Sequence, residues 1–270
     1  MKTISKFMFR LATVLTLVFG VYSCSSDETE KLDLKNSLFK KSSSVGALHN
    51  EALAYTFEKL VENRLTIDSP DLNDSLKSIV SAFFISVEPD TRLHPIIVDD
   101  VNNAFEYYKT HGESDLSTLS VELRAEVNKL IELVEDTVTE DNEEAGEGLF
   151  TLSQKLLANP PHQLNPEEQQ AWSYAVDVMG HSAIYWSDGG IDNWNDNLNG
   201  NLVTANGFWR NVWRIVKNVV SADATGALAG GEIGERFGKP ELGAAIGAAV
   251  GSVAAIVDEI IDEEAPAEPE

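Results

Sequence analysis

Residues 226–251 read GALAGGEIGERFGKPELGAAIGAAVG, and glycine recurs there at every fourth position in two series. The first series is Gly226, Gly230, Gly234 and Gly238, and the second is Gly243, Gly247 and Gly251. Four-residue spacing places residues on nearly one face of an α-helix, where another backbone can approach closely. Because glycine costs up to about 1 kcal/mol in a helix interior, the repeat favours two helices that pack through these positions.

The turn between the two series is Gly238-Lys239-Pro240, and proline suits the first position of a second helix. We therefore predict a helical hairpin over residues 207–261, packed on the rest of the domain. Its composition resembles glycine-zipper segments of bacterial envelope proteins and the Gly/Ala-rich stretches of some bacteriocins. That resemblance implies membrane insertion or oligomer packing. The alternative is a close-packed hairpin in a soluble domain, which the 16 uncharged residues of Leu242–Val257 favour because they are few for a membrane span.

The preceding residues, 45–206, have helical periodicity almost throughout. The clearest apolar stripe consists of Leu123, Val127, Leu130, Ile131, Val134 and Val138. Asn165 followed by Pro166 is a typical helix start, with a capping side chain and a proline at the first helical position. Alternating strand patterns are essentially absent. The sequence thus predicts an all-α fold, a multi-helix bundle with a C-terminal Gly-rich helical hairpin.

Residues 187–206 are rich in Asn, Asp and Gly, which predicts a long surface loop. Asp188, Asp192 and Asp196 are weak metal candidates in it. Asn195, Asn197, Asn199 and Gly200 match the first positions of a calcium loop, but Asn206 stands where a bidentate Glu belongs. We therefore prefer a plain loop and predict no metal or cofactor. Residues 262–270 are acidic and contain proline, which predicts a disordered tail.

The first 24 residues have the pattern of an export signal. Lys2, Lys6 and Arg10 precede an apolar run over residues 11–22, and Ser23 and Cys24 follow. Such a run is too short to cross a bilayer core of about 30 Å as a helix. We predict a signal peptide over residues 1–23, removed before Cys24.

The sequence Val21-Tyr22-Ser23-Cys24 resembles the lipobox of bacterial lipoproteins. The resemblance implies that Cys24 carries fatty acyl chains such as palmitate, and that the bilayer is a partner of the protein through this anchor. The Ser- and acid-rich residues 25–30 resemble the export signal of Bacteroidota lipoproteins. That second resemblance implies an outer-membrane lipoprotein of the cell envelope, exposed at the cell surface, with an acidic tether over residues 24–44.

The chain is strongly acidic, with 20 Lys and Arg against 44 Asp and Glu, a formal charge of −24. Removing the predicted signal peptide leaves 17 basic residues, so the charge becomes 17 minus 44, or −27. Such a surface repels phosphates, which argues against nucleic acid as a partner. Arg210, Arg214 and Lys217 share a helix face, where pairing with acidic helices is preferred over an anion site.

No recognisable catalytic set occurs among the five histidines, and the compact cluster His49-Asn50-Glu51 has the composition of a surface or capping feature. The preferred hypothesis is a membrane-anchored lipoprotein that works by binding or as a structural module, with a co-encoded envelope protein as a candidate partner. The alternative is a membrane-active, toxin- or bacteriocin-like protein that acts through the C-terminal hairpin. A hydrolase that uses His49 or the 187–206 loop is the third hypothesis.

Overall fold

The computed structural model describes residues 44–112, 116, 119–138, 144–198, 208–236 and 238–264. The predicted signal peptide, Cys24 and nearly all of the tether lie outside these residues. Within them the secondary structure is helical, without strands, so the predicted all-α bundle is confirmed. The helices are α1 (Val45–Asn63), α2 (Leu72–Val87), α3 (His94–His111), α4 (Val121–Thr137), α5 (Ala145–Leu157), α6 (Pro166–Tyr185), α7 (Ile191–Leu198), α8 (Phe208–Glu235) and α9 (Pro240–Glu264).

Helix boundaries follow local capping chemistry. Helix α6 begins in a capping box: the Asn165 side chain accepts hydrogen bonds from the backbone N–H of Glu167 and Glu168, each at 3.0 Å. The Glu168 carboxylate in turn accepts from the backbone N–H of Asn165 at 2.9 Å. This confirms the start predicted at Asn165-Pro166. Ser44 caps α1, and α3 ends at Gly112, whose φ of +70° suits a left-handed C-cap.

Helix α9 lies at the centre of the bundle. It contacts α8 along its length and also touches α1, α2, α3 and α6. Its aliphatic residues are almost completely buried, including Ala244, Ala245, Ile246, Ala248, Ala249 and Val250. Helix α8 packs on α6, and α6 packs on α1 and α5. A helix that is apolar on every side belongs in the interior of such a fold.

The two glycine-rich helices approach each other through backbone atoms. A Cβ placed on Gly230 would lie 2.9 Å from the Cα of Gly247 and closer still to the carbonyl oxygen of Gly243. A Cβ on Gly251 would lie 2.7 Å from the carbonyl oxygen of Ala222. These distances are shorter than van der Waals contact, so a larger residue at either position would push the helices apart.

Gly238 departs from the predicted set of packing glycines. Its φ is +74°, and a Cβ there would meet nothing within 4 Å. It belongs to the turn, where the backbone N–H of Lys239 donates to the carbonyl oxygen of Gly234 at 2.9 Å. Glycine is required here by the left-handed backbone and not by close packing.

The predicted loop over residues 187–206 is wrong in its first part. Residues Trp186–Gly190 form a π-helical turn that is kinked where Asp188 and Gly189 have non-helical backbone angles, and α7 follows directly. Ile191, Trp194 and Leu198 of α7 are buried, so apolar side chains at helical spacing anchor a segment whose polar composition indicated a loop. The remainder, residues 199–207, lies outside the described residues.

The C-terminal boundary also differs from the prediction. Helix α9 continues to Glu264, which is three residues beyond the predicted end of the hairpin at 261. A helix continues readily through Asp and Glu where the next helix breaker is still ahead, and here the first proline is Pro266. Residues 265–270 lie outside the described residues.

Candidate functional site

A cleft opens between α3 and the hairpin formed by α8 and α9. Its volume is about 180 Å³, and its walls are mostly apolar. Helix α3 contributes Asp100, Asn103, Ala104, Tyr107 and Tyr108; the hairpin contributes Gly226, Ala229, Gly230, Ile233, Gly243, Ile246, Gly247, Val250 and Gly251. The glycines through which the two arms touch thus also contribute to the wall of the cleft.

Asp100 is the charged residue among those that line the cleft. Its Oδ2 atom is buried and has no hydrogen-bond partner among the described residues. Partial burial and the neighbouring charge of Asp99 raise the pKa of Asp100 to about 6, while the positive charge of Arg236 opposes this rise. Buried carboxylate oxygens without a partner are rare in folded proteins, because each costs free energy.

Aromatic side chains border the same cleft. Tyr108 is nearly buried, and the ring of Tyr107 stacks on His111 with centroids 4.0 Å apart. The backbone carbonyl of Tyr107 also accepts a hydrogen bond from the His111 ring at 2.9 Å, which fixes the two residues against each other. Helix α3 thus brings one carboxyl group and two aromatic rings to a wall that is otherwise apolar.

A second polar cluster lies inside the bundle, where α1, α6, α8 and α9 meet. Asp223 of α8 is completely buried. Its carboxyl is hydrogen-bonded to the hydroxyls of Ser182 and Ser252, and accepts from the indole N–H of Trp186 at 3.3 Å. His49 of α1 is also completely buried; its Nε2 lies 3.0 Å from the Ser252 Oγ and 3.4 Å from the Asp223 Oδ2.

The hydrogen-bond partners fix where the protons of His49 lie. The Asn50 amide nitrogen donates to the carbonyl oxygen of His181 at 2.9 Å, so the amide oxygen faces the Nδ1 of His49 at 2.9 Å. That oxygen can only accept, and Nδ1 therefore carries a hydrogen. The Nε2 atom then either accepts a hydrogen from Ser252 or, when protonated, donates one.

His49 and Asp223 thus share one titratable proton through Ser252. With the proton on Asp223, the acid donates to Ser252, and Ser252 donates to Nε2. With the proton on Nε2, His49 donates to Ser252, and Ser252 donates to the carboxylate. Burial raises the pKa of Asp223 to about 7, against hydrogen bonds from Ser182, Ser252 and Trp186. Burial lowers the pKa of His49 to about 4, which the Asn50 bond opposes, so the uncharged arrangement is favoured.

This cluster does not have the geometry of a hydrolytic triad. In such a triad the acid contacts one ring nitrogen and the serine the other, whereas Ser252 and Asp223 are both on the Nε2 side of His49. Both ring and carboxyl are fully enclosed, so a substrate has no access to either. The expectation that His49 is a surface or capping residue is also wrong, because its ring is completely buried.

The predicted metal candidates do not come together. Asp188 lies in the π-helical turn, whereas Asp192 and Asp196 are on α7, where partial burial and the charge of Asp196 raise the pKa of Asp192. In the described part of the chain, no group of three His, Cys, Asp or Glu side chains could hold a metal ion. Asn197 instead donates to the backbone carbonyl of Leu65 at 3.2 Å, a structural role.

The basic residues predicted to pair internally are described only in part. Lys217 lies 3.9 Å from Glu135 of α4, as internal pairing requires. The side chains of Arg210 and Arg214 lie outside what the structure describes.

Sequence analysis missed Asp100 and Asp223, although a signal existed for each. Asp223 is the single acidic residue between Asp196 and Glu232 in a chain with 44 of them, and it falls within an apolar helix. Asp100 precedes Ala104 and Tyr107 by four and seven residues, so it shares their helix face.

Comparison with protein families, with curated proteins and with solved structures finds no match for this chain. The described residues include one helix segment, Pro240–Ile260, that is long and apolar enough to cross a membrane, with 21 residues and a mean hydropathy of 1.6. That segment is longer than the 16-residue uncharged stretch, because Glu241, Asp258 and Glu259 lie within its ends. Of the 18-residue window in this segment that meets the criterion, 83% is buried inside the bundle.

Proposed function

We propose that this protein is a lipid-anchored lipoprotein of the bacterial cell envelope that binds a small, largely apolar ligand in the cleft between α3 and the α8/α9 hairpin. The observation that carries the proposal is the cleft itself, about 180 Å³ with mostly apolar walls. Ligand sites are typically concave and apolar, with a few polar groups that fix orientation. Asp100 is such a polar group.

The anchor part of the proposal is supported by the N-terminal pattern, in which basic residues, a short apolar run and Ser23-Cys24 follow one another. Acyl chains on Cys24 would hold the domain at the membrane, where the acidic residues after Cys24 act as a spacer. We expect Cys24→Ala to be found as soluble protein or as uncleaved precursor in cell fractionation. Processed Cys24→Ala in the membrane fraction would contradict the lipid anchor.

The binding part is favoured over catalysis because the histidine, serine and carboxyl groups that lie close together are sealed inside the bundle. Among the described residues, the cleft lining has one carboxyl group, Asp100, and no Ser, Thr, Cys, Lys or His side chain. A site of this kind can hold and orient a molecule, and a reaction would need groups that its described lining does not contain.

A small neutral probe tests whether the cleft binds at all. We expect benzyl alcohol to bind with millimolar affinity, which suits a ligand of so few atoms, and saturation-transfer NMR detects binding in that range. Ala104→Phe fills the cleft from α3 and should abolish the signal. Ala54→Phe is the matched control, since Ala54 is exposed on α1, away from the cleft. Equal binding by both variants, or none by the wild type, would refute the cleft as the site.

A second candidate function is membrane activity of the hairpin, which the length and hydropathy of Pro240–Ile260 favour. In this case α9 would leave the bundle and enter a bilayer. Dye-filled vesicles of phosphatidylethanolamine and phosphatidylglycerol, mixed with the protein, separate the two proposals. Strong leakage would support membrane activity and count against the binding module, whereas intact vesicles are expected if the hairpin stays in the core.

A further inference from the structure

The polar residues that line the cleft all lie on one side of it, on α3. Asp100 is its charged lining residue, and the hairpin wall contributes only glycine, alanine, isoleucine and valine. The remaining polar groups are the Asn103 side chain and the two tyrosines of α3. A ligand that satisfies this site must therefore bring a hydrogen-bond donor, and preferably a positive charge, to one end of an apolar body.

The position of Asp100 does not suit a helix-capping role. Asp100 is the seventh residue of α3, too far from His94 to cap the helix start. Its Oδ2 receives no hydrogen bond from the described residues. The charged residues that influence its pKa are Asp99 on its own helix and Arg236 directly after α8. Among the described residues, α9 contributes no charged side chain to the cleft lining.

The aromatic neighbours point to the same ligand chemistry. A cation near a tyrosine ring face is attracted by the ring quadrupole, and a carboxylate beside the ring adds a charge-assisted hydrogen bond. Tyr107 and Asp100 line the cleft together, two helical turns apart on one face of α3. The net charge of −24 also raises the local concentration of cations around the protein.

We propose that the cleft binds an organic monocation, in which an ammonium group meets the Asp100 carboxylate and a compact apolar body lies between the tyrosines of α3 and the hairpin wall. This inference rests on the proposed binding function and specifies the class of ligand. A cavity of roughly 150 Å³ is known to accommodate benzene, so about 180 Å³ suits a body of one aromatic ring or a short branched chain.

The proposal is tested with three ligands that share one ring and differ in charge: benzylamine, benzyl alcohol and benzoate. We expect benzylamine to bind about tenfold more tightly than benzyl alcohol, the ratio typical of one charge-assisted hydrogen bond. Benzoate should bind more weakly than both, because its carboxylate faces Asp100. Dissociation constants come from NMR titration of the wild-type chain at pH 7.5.

Asp100→Asn is the decisive variant, since it keeps the shape of the side chain and removes its charge. We expect it to bind benzylamine and benzyl alcohol with nearly equal affinity. Asp99→Asn is the matched control, one residue away and absent from the cleft lining, and it should keep most of the preference. A preference for benzylamine that survives in Asp100→Asn would overturn the assignment and indicate general attraction by the acidic surface.

The pH dependence provides an independent readout. Because the pKa of Asp100 is raised to about 6, the preference for benzylamine should be large at pH 7.5 and nearly absent at pH 4.5. Benzylamine remains an ammonium ion throughout this range. If benzyl alcohol binds in the cleft and no preference for benzylamine exists at any pH, the proposed binding function stands and the cation inference fails. If none of the three ligands binds, both fail.

Discussion

Two carboxyl groups at the glycine-rich hairpin have different surroundings: Asp223 belongs to the hairpin helix α8, and Asp100 faces the hairpin from α3. Asp223 lies inside the bundle and is hydrogen-bonded to Ser182, Ser252 and Trp186. Asp100 lies at the cleft, and its Oδ2 has no donor among the described residues. Burial raises the pKa of both groups. The protein itself supplies the partners of Asp223, whereas the missing partner of the Asp100 Oδ2 is the observation behind the proposed cation site.

The largest expected difference between the two groups is in stability. Asp223→Ala leaves two hydroxyls, an indole N–H and the His49 ring without their shared partner, and loss of one member of such a buried network costs about 3–5 kcal/mol. Asp100→Ala removes no hydrogen bond made by its Oδ2, so it should change the free energy of unfolding by no more than about 0.5 kcal/mol. Urea unfolding followed by circular dichroism measures both. Similar losses for the two variants would remove the distinction between them.

The shared proton of His49 and Asp223 gives a second prediction, of opposite pH slopes. Between about pH 4 and pH 6.5 the pair holds one titratable proton in both states, on Asp223 in the native chain and on His49 in the unfolded chain. The pair therefore adds no pH dependence to the free energy of unfolding of the wild type in this range. In Asp223→Asn only His49 remains, with its pKa lowered to about 4 in the native state. Protonation then favours the unfolded chain, and stability should rise as pH increases from 4 to 6.5.

In His49→Gln only the raised pKa of Asp223 remains, so the native chain binds its proton more tightly than the unfolded one. Stability should therefore be greatest near pH 4 and fall as pH rises to about 7. The measurement is the free energy of unfolding of each variant relative to wild type at each pH, which cancels the other titrating groups. Equal slopes for the two variants would contradict the shared proton.

A smaller effect distinguishes two neighbouring glycines of α8, of which Gly230 lines the cleft and Gly231 does not. Gly230 touches the backbone of α9, and Gly230→Ala should cost about 1–3 kcal/mol through overpacking. A Cβ on Gly231 would lie at an ordinary 3.5 Å from the Tyr174 ring. Gly231→Ala should therefore be neutral or stabilise by up to about 1 kcal/mol through helix propensity. Thermal melting of both variants checks this, and a harmless Gly230→Ala would show that the hairpin does not need its glycines.

The sequence was sufficient for the helical class and for the start of α6, because periodicity and capping are local signals. It was insufficient for α7, where Ile191, Trp194 and Leu198 anchor a helix whose polar residues have the composition of a turn. It also assigned Gly238 to the packing face, although its positive φ places it in the turn. Spacing alone cannot distinguish a glycine needed for close approach from one needed for its backbone angle.

The two carboxyl groups could not be assigned from sequence for a related reason. The donors around Asp223 come from residues 182, 186 and 252, and His49 is more than 170 residues away along the chain. The cleft exists because part of α3 leaves room for a small ligand beside α8 and α9. Both features depend on helix packing, which periodicity predicts only as a buried face.

A crystal structure with 4-bromobenzylamine would show directly whether the cleft holds a cation against Asp100. Anomalous scattering locates the bromine, and the electron density locates the amine. We expect bromine between α3 and the hairpin wall, with the ammonium nitrogen within about 3 Å of the Asp100 carboxylate, the usual length of a charge-assisted hydrogen bond. Bromine found only outside the cleft, or a cleft that holds the ring with its amine turned away from Asp100, would contradict it.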